Sequence, residues 1–94
     1  GRNMELALAF ASEIKGVPGI TLLSAGTDGT DGPTDATGAV VDGMTAVRAR
    51  EQGLDPGAYL RNNDSYSFFR KTGGLLVTGP TGTNVMDIQI LVIE

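Results

Sequence analysis

The sequence predicts an α/β domain of three layers, α/β/α, around a mixed, mainly parallel sheet. Three observations carry this expectation. Stretches with apolar residues at helical spacing alternate with short runs of strand formers, the pattern of helices covering a sheet on both faces. The runs at residues 20–25 and 75–77 are apolar without strict alternation, as in strands buried on both sides. Both runs lead into glycine-rich loops of similar character, and ligands of α/β sheets bind where strands hand over to loops.

Taken in order, residues 3–15 read as a helix with Asn3 as its N-cap and Glu5 in the first turn, where a negative charge suits the helix dipole. Met4 and Leu8, Leu6 and Phe10, and Ala7, Ala11 and Ile14 follow helical spacing, so most of the circumference is apolar. Gly16 and Pro18 stop it. Residues 20–25, ITLLSA, form a strand that ends at Gly26, and residues 27–38, TDGTDGPTDATG, are almost free of apolar side chains. A brief strand is expected at 39–41 and a helix at 45–52 closed by Gly53. Asp55-Pro56 is a cap followed by proline at the first helical position, which starts a short helix through Arg61.

Asp64 or Ser65 caps the next helix, which carries Tyr66, Phe68 and Phe69 as packing residues and ends near Gly73-Gly74. Residues 75–78 form a second core strand and residues 87–93 a final one. Residues 79–86 are too few for a parallel crossover, so the last strand runs antiparallel to its predecessor if the two pair, and the sheet is mixed. Ninety-four residues make one domain, and the chain begins, without methionine or signal pattern, as a fragment of a longer protein would.

Composition narrows the chemistry. The net charge is −4 and only seven residues are basic, which argues against nucleic acid as a partner. No apolar run is long enough to span a bilayer, and a cytoplasmic location is compatible with the absence of cysteine. Without cysteine or histidine, thiolate chemistry, Cys/His zinc sites and a Ser-His-Asp triad are excluded within this segment. Fourteen glycines against five aromatics point to tight turns and to backbone that approaches a ligand closely.

Two loops are candidates for that approach. In the first, Asp28, Asp31 and Asp35 lie within eight residues, interleaved with the hydroxyls of Thr27, Thr30 and Thr34. Magnesium favours such oxygen ligands, usually one or two carboxylates completed by water and phosphate. Each aspartate alone would more often make an Asx-turn, but three in a loop of this length favour a functional site. The spacing does not fit an EF-hand. In the second loop, TGPTGTN, glycines let backbone N–H groups converge on an anion while threonines donate hydroxyl bonds, although neither GK[ST] nor GxGxxG is present. A plain turn explains the second loop equally well on its own. Its pairing with the acidic loop raises it, on the expectation that both emerge at one rim into a shared pocket.

The segments GRNMELALAFA, LLSAGTDGTDGPTDATGAVVDG, NDSYSFF and LLVTGPTGTNVMDIQILV together resemble the MOFRL domain that ends the two-domain glycerate 2-kinases. The resemblance runs over essentially the whole chain and is most specific at residues 26–39 and 78–87. It implies ATP-dependent phosphorylation of the 2-hydroxyl of glycerate, with ATP as co-substrate and Mg²⁺ as cofactor, at a cleft with an N-terminal Rossmann-like domain of the same polypeptide. The isolated domain would then be inactive, and a homo-oligomer is compatible with the resemblance. Some members carry the label hydroxypyruvate reductase, for which the segment holds no dinucleotide fingerprint. A non-catalytic domain that captures a metal or small molecule is the other alternative. Under the resemblance, Asp28 and Asp31 hold Mg²⁺ or act as base toward the glycerate hydroxyl. Thr27, Thr30 and Asp35 lie against substrate. Thr81, Gly82, Thr83 and Asn84 hold a carboxylate or phosphate, and Arg2 and Asn3 line the cleft from the helix start.

Overall fold

A computed structural model of the protein describes residues 1–82 and 86–94. The predicted elements form close to their expected limits: α1 (Arg2–Glu13), β1 (Ile20–Gly26), β2 (Gly38–Asp42), α2 (Thr45–Glu51), α3 (Pro56–Arg61), α4 (Ser65–Thr72), β3 (Leu75–Leu76) and β4 (Asp87–Ile93). Asp55 caps α3 as its sequence implies, its side chain accepting a hydrogen bond from the Gly57 N–H at 3.0 Å. Gly73 ends α4 in the left-handed conformation, with φ 92°.

The sheet corrects the expectation of mainly parallel strands. Its order is β3-β2-β1-β4, and every neighbouring pair is antiparallel. For β1 and β2 the physical reason lies in their connection. β1 and β2 are joined by a loop without a helix, and only a helix-sized crossover brings a chain back parallel. The final strand does not pair with β3 at all. It crosses to the opposite edge and lies against β1, Ile20 to Gly26 opposite Ile93 to Asp87.

Nor are there three layers. α1 packs across β1 and β2, and α2, α3 and α4 gather around α1 on that same side. Met4, Leu8 and Ala11 of α1 meet Leu22, Ala39 and Val41 of the sheet and Phe68 and Phe69 of α4, all within one core. Phe68 stacks edge-on against both Phe69 and Tyr59, with ring centroids 5.2 and 5.5 Å away. The opposite face of the sheet carries Leu23, Val40, Ile88, Ile90 and Val92, in register across three strands, and no helix of the described residues covers it.

Candidate functional site

Strand order explains why two loops distant in sequence meet. β3 and β4 occupy opposite edges, so the segment between them must pass across the ends of β2 and β1. Those are the ends from which residues 27–37 emerge, since Gly38 pairs with Leu76 and Gly26 with Asp87. Contacts follow the crossing step by step. The Thr78 N–H donates to the Thr37 hydroxyl oxygen at 3.0 Å, and the Thr81 N–H to the Asp28 carbonyl at 3.3 Å. The Thr81 hydroxyl donates to the Thr27 carbonyl, and the Thr27 hydroxyl to the Met86 carbonyl at 2.6 Å. The acidic loop and the described part of the threonine-rich loop thus meet at one rim, but none of residues 78–82 lines the cavity there, so the shared pocket expected of the two loops is not formed by the described residues.

At that rim lies a cavity of about 390 Å³. Of the candidates, Arg2, Thr27, Asp28, Thr30 and Asp31 line it, joined by Gly32, Met86 and Asp87. Asp28 makes an Asx-turn through one oxygen, its Oδ1 accepting from the Thr30 N–H at 3.0 Å. Its other oxygen has no bond to a described residue. Arg2 is mostly exposed and contacts the Asp87 carboxylate through Nε. Its terminal nitrogens have no partner among the described residues, so the fork of the guanidinium is open to an anion.

Asp31 is a different kind of group. It is 2 % exposed, and its carboxylate receives the Asn3 and Met4 N–H groups at 3.0 and 2.7 Å, with the Asn3 amide at 3.3 Å on the same oxygen as the Asn3 N–H. It is the cap of α1, supplied from across the fold. Gly1, at the N-cap position, has no side chain to supply one, and Asn3, expected there, lies inside the first turn. Asn3 is also buried and fully committed. Its Nδ2 donates to Asp31 and, at 2.9 Å, to Asp87, while its Oδ1 accepts from Ser24 Oγ at 2.8 Å and Gln89 Nε2 at 3.2 Å. Asn3 therefore ties α1, β1, β4 and the acidic loop together beneath the cavity and does not face it.

Asp35 stands apart from the cavity, exposed, accepting a bond from the Tyr66 hydroxyl at 2.8 Å that raises the tyrosine's pKa. Gly82 is exposed and does not line the cavity; Thr83 and Asn84 lie outside the described residues. Asp87 is the residue that sequence reasoning passed over. It opens a strand whose remaining residues are uncharged, and its position at the start of β4, just after a glycine-rich loop, was the available signal. The Asn3 amide, and with it the Arg2 guanidinium, holds its carboxyl below the usual aspartate value against the opposing effect of burial.

For Mg²⁺ the fit is poor as a resident site. Both oxygens of Asp31 are spent on N–H donors, Asp87 is paired with Arg2, and no group of three or more His, Cys, Asp or Glu among the described residues could hold a metal. Of the carboxylates that line the cavity, Asp28 alone retains an oxygen without a partner among the described residues. What the cavity can do is bind an anion at Arg2, accept a proton or hydrogen bond at Asp28, and offer a substrate the hydroxyl of Thr30, since that of Thr27 is spent on the Met86 backbone as donor and acceptor.

The MOFRL family profile matches residues 1–87. The chain is 60 % identical over 90 residues to the D-glycerate 2-kinase of Thermotoga maritima, a match spanning 96 % of this chain and 22 % of that protein. It is 46 % identical over 93 residues to the glycerate 2-kinase of Pyrococcus horikoshii, spanning 99 % of this chain and 21 % of the relative. The crystal structure of the glycerate kinase from Thermotoga maritima superposes with a TM-score of 0.98 at 58 % identity, over all of this chain and 23 % of that one. The chain thus spans about a fifth of the length of the relatives it matches.

Proposed function

We propose, from the premise that this chain belongs to the MOFRL family, that it forms one domain of a glycerate 2-kinase, which transfers a phosphoryl group from ATP to the 2-hydroxyl of glycerate. The observation that carries the reading is one cavity lined both by Asp28, with a carboxylate oxygen unengaged among the described residues, and by Arg2, whose guanidinium is largely exposed. Phosphoryl transfer asks a protein for positioning and charge stabilisation more than for a covalent nucleophile, so a site without histidine or cysteine suits it.

In this reading Asp28 accepts the proton of the 2-hydroxyl as that oxygen attacks the γ-phosphorus, and the bond to the β-phosphate breaks to release ADP. Arg2 binds the glycerate carboxylate or a phosphate oxygen, kept in place by Asp87 and, behind it, Asn3. Thr30 supplies a hydroxyl at the cavity wall, while Thr27, bound to the Met86 backbone, and Thr81 brace the acidic loop. Asp31 holds the start of α1, and with it Arg2, instead of acting as base or metal ligand. Any magnesium arrives bound to the nucleotide's phosphates as part of the substrate.

Arg2 is the one cation at the cavity wall among the described residues. Charge compensation for the transferred group therefore comes from a larger, N-terminal Rossmann-like domain of the same polypeptide, and the active site is a cleft between the two. The 94 residues alone are inactive in this reading, and the whole enzyme works in the cytoplasm.

The test is the full-length protein assayed for ATP-dependent formation of 2-phosphoglycerate. Asp28→Asn is expected to lower kcat by on the order of a hundredfold or more while leaving the melting temperature nearly unchanged. Wild-type turnover in that variant would remove Asp28 from the chemistry. Absence of the product from the unmodified enzyme would remove the kinase reading altogether.

A further inference from the structure

β4 presents a packing problem that the described residues leave unsolved. Between Asp87 and Glu94 it reads Ile88-Gln89-Ile90-Leu91-Val92-Ile93, with no charge. Strands exposed on one face alternate apolar with polar, whereas strands covered on both faces read as continuous apolar runs, as this one does toward its end. On the side opposite the helices, Ile88, Ile90 and Val92 are 41, 51 and 47 % exposed. On the helix side, Leu91 and Ile93 are 50 and 70 % exposed, because α1 lies over β1 and β2 and does not extend to β4. Ile90 continues across the sheet into Leu23 and Val40 in register, the latter 39 % exposed, so the bare apolar surface spans several strands.

β4 is also an edge strand, paired with β1 on one side only. Natural edges are blunted by charge, proline, brevity or a bulge, and beyond Asp87 at its start this seven-residue strand carries neither a charge nor a proline. Scattered exposed leucines need no explanation, but a contiguous apolar face continuous with an unpaired edge marks an interface.

We infer that the open sheet face and the free edge of β4 are the docking surface for another part of the same, longer polypeptide. This rests on the reading of the chain as one domain of a larger enzyme. The geometry disfavours a second copy of this domain. Two copies pairing β4 to β4 about a two-fold axis would satisfy the edges and leave the open faces bare. Two copies stacked by their open faces would leave the edges, Leu91 and Ile93 uncovered. Covering both sides and the edge takes polypeptide that wraps β4. Relatives in which the matched part is 21 to 23 % of the chain contain ample length for that.

Hydroxyl-radical footprinting of the full-length protein, read by mass spectrometry against the urea-unfolded protein and repeated over serial dilution, tests the inference without substitutions. The expected result is loss of labelling at Ile88, Ile90, Val92 and Ile93 in the folded protein, unchanged at every dilution. Labelling of these side chains at the level their exposure here implies would overturn it. Protection that disappears when the protein is diluted to monomers would overturn it equally, in favour of a second copy. The measurement reads no catalysis, so its failure leaves the kinase reading intact, and a missing kinase activity leaves the footprint unaffected.

Discussion

Asp31 shows how one residue type in one loop divides into separate tasks. Its neighbour Asp28 keeps an oxygen for the cavity, while Asp31 lends its whole carboxylate to α1. Replacing it with alanine leaves the Asn3 and Met4 N–H groups buried without acceptors. Asp31→Ala is therefore expected to cost about 1–3 kcal/mol of stability, measured by urea denaturation. An unchanged midpoint would show that α1 does not need this cap. Asp87 makes a prediction in pH. Its folded-state carboxyl lies below the ordinary value because the Asn3 amide and Arg2 favour the charged form. A depressed carboxyl stabilises the fold fully above the ordinary aspartate range and ceases to do so as pH falls through the folded value. The stability gap between the wild type and Asp87→Asn should thus be present at pH 7 and shrink as the pH falls below about 4. Denaturation series at neutral and acid pH would show this, and a gap independent of pH would contradict it.

Between the elements, the junction of the two loops is where backbone geometry matters most. Gly29 and Gly79 both have positive φ, 93° and 74°. They differ in surroundings. A Cβ at Gly29 would stand 2.1 Å from the Gly79 carbonyl oxygen, whereas one at Gly79 would meet nothing within 4 Å. Gly79→Ala should then cost only the conformational term, on the order of 1–2 kcal/mol. Gly29→Ala should cost more and force the loops apart, raising KM for the substrates of the full-length enzyme. Equal losses at the two positions, read from denaturation midpoints, would mean that the loops are not seated on each other. Most of these elements were legible beforehand. Asp55-Pro56, the glycine stops and the apolar spacing are local signals, and they placed every helix and strand within a few residues. The N-terminus of α1 was misjudged because its cap comes from a side chain 28 positions away.

For the molecule as a whole, two layers do the work expected of three. The helices share one core on one side of the sheet, built on Met4, Leu8, Phe68 and Phe69. The other side stays apolar and open. The cavity sits at the end of the sheet, where the segment joining the two edge strands passes over the acidic loop. Cavity and open face are therefore set on different parts of the domain, and a larger partner can close the first while it covers the second.

Local pattern alone determined the order and limits of the elements, the exclusion of thiol and imidazole chemistry, and the two loops worth watching. Each of those follows from residue type and spacing within a few turns of chain. Tertiary structure decided that the sheet is antiparallel, that β4 joins β1, that Asp31 caps a helix, and that Asp87 belongs beside Arg2. The reason is physical. Which edge a strand occupies and which donor a carboxylate finds depend on burial shared between segments tens of residues apart, as with Asn3 and Asp87, 84 positions distant, and no local periodicity carries that information.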